Sequence, residues 1–485
     1  MPSQIKRYAC KTCKLTHNTI SNKKLRLPQF QRSNSVLFNS KQERTVAQYI
    51  SGLDSGKKMS TNNLTYYFYT TTDSSRIDDN ETIRNWNTIQ KNNYRACIGE
   101  WEKVSPLTFT EVFTDTSANI KLILIDDLSY DFLGHAYFPE SIYEGENFIS
   151  FNNADDKDFT IGSYDYITMV HEFGHTLGLA HPHDDGGSST LFLGVSSSSD
   201  LGTNQQNQTV YTVMSYNDLN GPITPDFVQS YGFIKGPMAY DIAAINFIYS
   251  GTVINNSGNT EYIIPTVNTS GTLFETIVDT GGIDTINASG AIIDVTIDLR
   301  DARLNGNVIG GGAISKADGI DGGFTIANGT IIENAKTGAG DDYVIGSIHN
   351  NVITTNDGDD LVRANRGNDI INTGAGKDII YGDAGNDIAN GGDGNDTFYA
   401  GLGRDEFTGG SGNDVCIFPG FRWNYTIIRY DGPGTDPVGK YVIIGKGSFR
   451  RSVWKTILID VPFVRFSDGK WKRLTKVRGV IDRRS

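Results

Sequence analysis

A chain of 485 residues exceeds what one hydrophobic core ordinarily supports, so at least two domains are expected. Its net charge of −13 is unevenly spread: of 43 Lys/Arg and 56 Asp/Glu, residues 1–60 hold 12 and 2 and residues 418–485 hold 15 and 5, leaving 16 against 49 for the middle. That acidic middle disfavours nucleic acid and calls for cations, and no apolar run is long enough to span a bilayer.

Four cysteines, Cys10, Cys13, Cys97 and Cys416, are too few and too scattered for a disulfide framework. The pair Cys10 and Cys13 suits half a zinc knuckle, a redox pair or a thiolate capping an active-site metal. With no second Cys/His pair at matching spacing, it is read as having no metal role. The amino terminus MPSQIKRYACKTCKL lacks the apolar centre of a signal peptide.

Residues 1–45 read as a basic extension or pro-segment, followed by a short helix from Val46 to Leu53. LTYYFY from Leu64 reads as a strand, and Glu81 to Trp101 as a helix with Ile83, Trp86, Tyr94, Ile98 and Trp101 near helical spacing. LTFTEV from Leu107 and NIKLILI from Asn119 alternate as strands with one buried face. A helix from Tyr166 to Leu179 follows, with Ser163 or Asp165 placed to cap it. After a Gly/Ser-rich loop from Asp185 to Thr203, Pro237 to Ser250 reads as a third helix that closes a domain of residues 46–250.

Residues 251–336 read as a β-rich linker. From Thr337 to Ile417 the chain divides into nine consecutive nine-residue units without insertion, TGAGDDYVI, GSIHNNVIT, TNDGDDLVR, ANRGNDIIN, TGAGKDIIY, GDAGNDIAN, GGDGNDTFY, AGLGRDEFT and GGSGNDVCI. Glycine stands fourth and Asp sixth in every unit but the second, which has His349 and Asn351. A Gly-rich turn followed by a short apolar strand, twice per coil, predicts a parallel β-roll. Residues 418–485 read as a β cap with a basic tail.

The segment HEFGHTLGLAH, His171 to His181, carries the chemistry. His171 and His175 are one helical turn apart on one face and can bind the same ion at about 2.0–2.1 Å. Glu172 beside them is free to take a proton from water. Gly178 lets the chain break from the helix and return His181 as a third ligand, leaving an open metal position. A bare His-Glu-x-x-His also arises on ordinary amphipathic helices, but four of the seven histidines, His171, His175, His181 and His183, fall within this stretch. His183 fits no ligand spacing and reads as a rim residue.

HEFGHTLGLAHP resembles the zinc signature of the metzincins, and among them the serralysin family; TVMSYN, Thr212 to Asn217, resembles that family's Met-turn. The resemblance also covers WEKVSPLTFTEV, GHAYFP (Gly134 to Pro139), PMAYDIAAINFIYS and the repeats, about Val46 to Asp468. It implies an α+β metzincin-type catalytic domain, a twisted mixed sheet plus helices, ahead of the all-β parallel roll. It further implies that Met214 floors the zinc, that Tyr216 is a displaceable ligand that steadies the oxyanion, and that GHAYFP is an edge strand binding extended substrate. The implied activity is that of a zinc endopeptidase on protein or peptide substrates, with one zinc, in a monomer.

In the roll, carboxylates at the sixth place and carbonyls of the Gly turns suit several Ca²⁺ ions. The carboxylates are Asp342, Asp360, Asp369, Asp378, Asp387, Asp396, Asp405 and Asp414. The turn glycines are Gly338, Gly340, Gly358, Gly367, Gly374, Gly376, Gly385, Gly392, Gly394, Gly401, Gly403, Gly410 and Gly412. DTGGIDT resembles the serralysin linker, which implies another calcium at Asp279 and Asp284, whereas the unit with His349 and Asn351 is expected to hold its ion weakly or not at all. Calcium demand points to an extracellular destination, although KVRGVIDRRS differs from the family's carboxyl-terminal export signal. VPFVRFSDG resembles the ending of such repeat domains, so the tail is expected to pack as a cap with Trp454 and Trp471. The alternative function is a calcium-dependent adhesion or surface-binding protein with a latent or vestigial peptidase domain; retention of Glu172 and all three histidines argues against it.

Overall fold

The computed structural model describes residues 48–72, 82–126, 133–139, 147–152, 157–184, 187–218, 231–251, 253, 255–304, 312–419, 424–430, 440–445, 455–467 and 469–474. Cys10, Cys13, Val46, Trp454 and the basic tail beyond residue 474 lie outside the described residues.

The amino-terminal unit is a six-stranded sheet with helices packed on it. In chain order it comprises α1 (Gln48–Leu53), β1 (Asn63–Phe68), β2 (Thr82–Arg84), α2 (Thr88–Val104), β3 (Thr108–Glu111), β4 (Ile120–Asp126), β5 (Gly134–Ala136), β6 (Asn147–Asn152), α3 (Tyr164–Thr176) and α4 (Ala239–Tyr249). Strand order is β3-β1-β4-β6-β5, with β2 pairing β4 off this path. The β1–β3, β1–β4 and β4–β6 pairs are parallel, whereas β5 runs antiparallel to β6 and forms an edge.

Two expectations change here. The helix expected from Glu81 begins instead at Thr88, because Asn87 and Gln90 cap each other's backbone N–H groups. Thr82–Arg84 is a strand against Leu124–Asp126. Strand β4 was expected to bury one face and buries both: Ile120, Leu122 and Leu124 enter the main core, while Ile123 and Ile125 pack with Tyr69 and Ile83 beneath β2. Its buried Lys121 pairs with Asp115 at 2.7 Å, which offsets the cost of burying the ammonium.

The main core places Trp101, Tyr94, Phe151 and Phe173 between α2, the sheet and α3. Ser163 Oγ accepts from Tyr166 N at 3.1 Å and so settles which residue caps α3.

Beyond α4 the chain enters a two-sheet β-roll. Tyr343, Leu361, Ile379, Thr397 and Val415 pair in parallel on one sheet; Val352, Ile370, Ile388 and Glu406 do so on the other. Each partner lies two nine-residue units ahead, as the repeat implies. The eighth residues Val344, Ile353, Val362, Ile371, Ile380, Ala389, Phe398, Phe407 and Cys416 fill the interior. The sheets extend back into the linker, where Thr285–Asn287 pairs with Asn334–Lys336 and Val295–Asp298 with Tyr343–Ile345. At Gly394 (φ 143°), an added Cβ would lie 1.5 Å from the Gly376 carbonyl of the preceding coil, so the coils stack only where no side chain intervenes. The roll ends on Lys455–Ile459 and Phe463–Phe466, each continuing a sheet. Trp471–Arg473 pairs antiparallel with Phe463–Arg465 at that end; Trp471, expected to pack there, is 56% exposed, with the Arg465 guanidinium over its ring at 5.2 Å.

Candidate metal and catalytic site

The buried end of α3 presents His171 and His175, and the chain then turns through Gly178 (φ +100°) to bring back His181. The His181 Nε2 lies 3.1 Å from His171 Nε2 and 2.9 Å from His175 Nε2. Each Nδ1 is already engaged: His171 donates to Val213 O at 2.8 Å, His175 to Leu179 O at 2.7 Å, and His181 to the Asp184 carboxylate. With the protons fixed on Nδ1, three Nε2 lone pairs face one another. They cannot hydrogen-bond together, and burial holds all three imidazoles below their usual range, His171 down to about 4. Neutral, convergent imidazoles each oriented by a second acceptor are what a zinc ion requires. Tetrahedral zinc with Zn–N of about 2.05 Å would space these atoms about 3.3 Å apart, close to the spacing found. The residues therefore fit the metal.

Tyr216 Oη sits 2.9 Å from His181 Nε2, on the metal side. Met214 is fully buried, and its sulfur packs so near Gly174 that an added Cβ there would lie 2.7 Å from it, which places it under α3 as the Met-turn resemblance implies. His183, expected at the rim, stacks on His181 (4.9 Å between centroids) and lies 4.6 Å from the Tyr216 ring, and with His181 and Asp184 it forms a second group of converging donor atoms.

Glu172 is buried beside the ligands and accepts from the Ala136 N–H on edge strand β5. Burial pushes its carboxyl up to about 8; a dication alongside would favour the anion and draw it down again.

Two contributors escaped the sequence reading. Asp184 orients His181. Asp241, in the first turn of α4, accepts from Thr212 Oγ1 at 2.6 Å, Val213 N at 2.7 Å and Met238 N at 2.8 Å. It thus fixes the turn whose Val213 carbonyl orients His171. Burial raises its carboxyl to about 7. The only hint in sequence is an acidic residue in an otherwise apolar helix.

In the roll, the sixth-place carboxylates form two columns. Asp360 Oδ1 accepts from Asp342 N at 2.9 Å, and the same bond recurs one coil on through Asp378, Asp396 and Asp414. Asp369, Asp387 and Asp405 repeat it on the other side. The Oδ2 atoms of Asp342, Asp360, Asp369, Asp378, Asp387, Asp396, Asp405 and Asp414, and of Asp284, are buried with no hydrogen-bond partner. Burial raises these carboxyls, those of Asp360, Asp369, Asp396 and Asp405 to about 7. A file of orphaned buried oxygens fits hard cations. Asp279 accepts from Tyr262 Oη at 2.6 Å and lies by Asp284, whose N–H bonds Glu333 at 2.8 Å; Glu333, one coil before Asn351, was not foreseen.

Asn351 differs from its neighbours in the column. Its Oδ1 accepts from Ser347 N at 2.7 Å, and its Nδ2 donates to Glu333 O at 3.1 Å. Its amide is satisfied within the protein, where the Asp side chains are not.

Fold and site together define a metzincin-type zinc site joined to a calcium-repeat roll. Residues 58–200 match the matrixin family model, residues 155–263 match a Met-zincin model, and residues 332–362, 354–389 and 381–416 match the RTX calcium-binding nonapeptide repeat. Similar proteins include the metallopeptidase AprA of Pseudomonas marginalis, 29% identical over 60% of this chain and 61% of that protein. Serralysin of Proteus mirabilis is 28% identical (56% and 57%), and serralysin of Photorhabdus luminescens 32% (55% and 54%). The chain spans less than two thirds of the length of these relatives. Fold, site and matches together support a serralysin-like metzincin with carboxyl-terminal RTX repeats.

Proposed function

We propose that the protein is a zinc-dependent endopeptidase whose repeat domain folds around calcium. The observation that carries this reading is the convergence of three buried Nε2 lone pairs, each with its Nδ1 held by an acceptor. His171, His175 and His181 would hold one zinc, with Tyr216 as a displaceable fourth ligand. When bound, the ion would supply Lewis acidity toward a peptide carbonyl and the attacking water.

The remaining steps belong to the chain's own residues. Edge strand β5 would take an extended peptide by strand addition, antiparallel or parallel to Gly134–Ala136. That pairing would lay the scissile bond over Glu172, since the Ala136 N–H already bonds it. Glu172 takes the proton of the attacking water and delivers it to the leaving amine, and the Tyr216 hydroxyl donates to the oxyanion.

The sixth-place aspartates and turn glycines of residues 337–417, with Asp279 and Asp284, would bind several calcium ions, and Asn351 would mark a position that binds none. Residues 46–250 would form the catalytic domain, 251–336 the linker and 418–485 the cap. Partners would be protein or peptide substrates of a monomer, without nucleic acid. An extracellular destination is supported by a roll whose buried carboxylates need abundant calcium; among the described residues no helix is long and apolar enough to cross a membrane.

The test is hydrolysis of an unfolded protein by the full chain with zinc and calcium, before and after chelation. Activity lost on chelation and restored by zinc with calcium is expected. Activity persisting in the fully stripped protein would refute the proposal.

A further inference from the structure

Ser55, just past α1 and 1% exposed, grips both ends of the stretch that carries the third imidazole. Its N–H and its Oγ both donate to the Gly178 carbonyl, at 3.1 and 2.6 Å. Its own carbonyl accepts from Ser188 N at 2.9 Å. Gly178 stands immediately before Leu179–Asp184, the segment bearing His181 and the Asp184 that orients it, and Ser188 follows that segment.

The flanking residues extend the grip. The Leu53 carbonyl accepts from Ala180 N at 2.8 Å, and Asp54 bridges Leu179 in antiparallel fashion. The Ala180 N–H shares a peptide plane with the Leu179 carbonyl, which is the acceptor for His175 Nδ1. A plane held by Leu53 therefore orients the second imidazole, and a plane held by Ser55 sets the start of the run to the third. The Lys57 carbonyl lies 2.1 Å from where a Cβ on Gly178 would stand, so residues 53–57 and the turn are in direct backbone contact.

The turn needs such outside support. A left-handed glycine has left the helical hydrogen-bond ladder, so its carbonyl must find donors elsewhere or remain unpaired in a buried setting. Ser55 supplies two donors to that one oxygen, which fixes the tilt of the Gly178–Leu179 peptide as well as its position.

We infer that Ser55 is a positioning residue for the third zinc ligand, through which the segment preceding β1 sets metal affinity. This rests on the zinc reading above. Ser55→Ala removes the Oγ bond to Gly178 O and the longer one that Oγ accepts from Lys57 N at 3.3 Å, and keeps both backbone bonds, so the chain is expected to fold. The control is Ser51→Ala, which removes the hydroxyl's bonds to Gln48 O and Thr190 Oγ1 and leaves the Gly178 turn untouched.

The experiment is competition of the full chain in calcium against a chromophoric zinc chelator, with melting of the zinc-free proteins alongside. Loss of a group that orients a metal ligand typically weakens affinity about 10–100-fold. Ser55→Ala is expected to lose at least about tenfold on that basis, with Ser51→Ala at the wild-type value and the zinc-free melting temperatures alike. Wild-type affinity in Ser55→Ala would overturn the inference. So would equal weakening in the Ser51 control, or a loss mirrored by an equal drop in zinc-free stability. A wild-type chain that binds no zinc would overturn the metal reading itself, a result distinct from these.

Discussion

Replacing Asp241 tests how the floor of the site is held. Its carboxylate receives three hydrogen bonds in a fully buried setting, two from backbone N–H groups of Val213 and Met238 and one from Thr212 Oγ1. Asp241→Ala leaves both N–H groups buried without an acceptor, at about 1–3 kcal/mol each, so a loss near 4 kcal/mol is expected. For a unit of roughly 200 residues about 1 kcal/mol corresponds to 2–4 °C, which makes the expected fall in melting temperature about 8–16 °C. Asp241→Asn can turn its remaining oxygen to the two N–H groups and present its amide to the Thr212 oxygen, so it should cost only about 1 kcal/mol. The assay is thermal unfolding of both variants in calcium, followed through the tryptophans of the metzincin-type unit. If the alanine variant melts within a few degrees of wild type, or the asparagine variant falls as far as alanine, the acceptor geometry is not what holds the turn.

Restoring the repeat with His349→Gly and Asn351→Asp together should add one calcium to the stoichiometry measured by titration calorimetry; an unchanged count would contradict the assignment of Asn351 as an ion-free position. The raised carboxyls of Asp360, Asp369, Asp387, Asp396 and Asp405 make the calcium-free fold bind more protons than the unfolded chain, between the unperturbed aspartate value and about 7. Calcium-free roll stability should therefore be highest at acidic pH and fall as pH rises through about 4 to 7, and circular dichroism in chelator at pH 5 and pH 8 would expose the opposite trend. Gly178→Ala must place a Cβ against the Lys57 carbonyl in a left-handed conformation. It should lose zinc binding, and a variant that binds zinc as wild type does would contradict the turn's stated role.

The legible parts of this protein are those where function imposes a local spacing. Three histidines and a glutamate within eleven residues give the metal site because helix and turn geometry alone bring them together. The roll is legible because each coil repeats the one before, so a nine-residue period fixes both strand register and carboxylate columns. What escapes is whatever depends on distant segments meeting. Asp241 reaches the Met-turn from α4, Ser55 reaches Gly178 across 123 residues of sequence, and Glu333 takes a column position outside the repeat. Helix α2 was placed too early because Ile83 and Trp86 continue its apolar period, while Asn87 and Gln90 break it with a reciprocal cap. Strand β4 was assigned one buried face because its alternation does not reveal that β2 covers the other. Asn351 stood out as a break in pattern, but the bonds that satisfy its amide are visible only once the coils are stacked.

The most direct measurement is zinc content and turnover of Glu172→Gln beside wild type, in saturating calcium, on an unfolded protein substrate. Glutamine keeps the shape of the side chain and the Ala136 bond but cannot accept the water proton, and general-base catalysis contributes about 10²–10⁴-fold. The account predicts one zinc in both proteins and hydrolysis slowed by at least about a hundredfold in the variant. Wild-type turnover in Glu172→Gln, or a wild-type protein that holds no zinc, would contradict it.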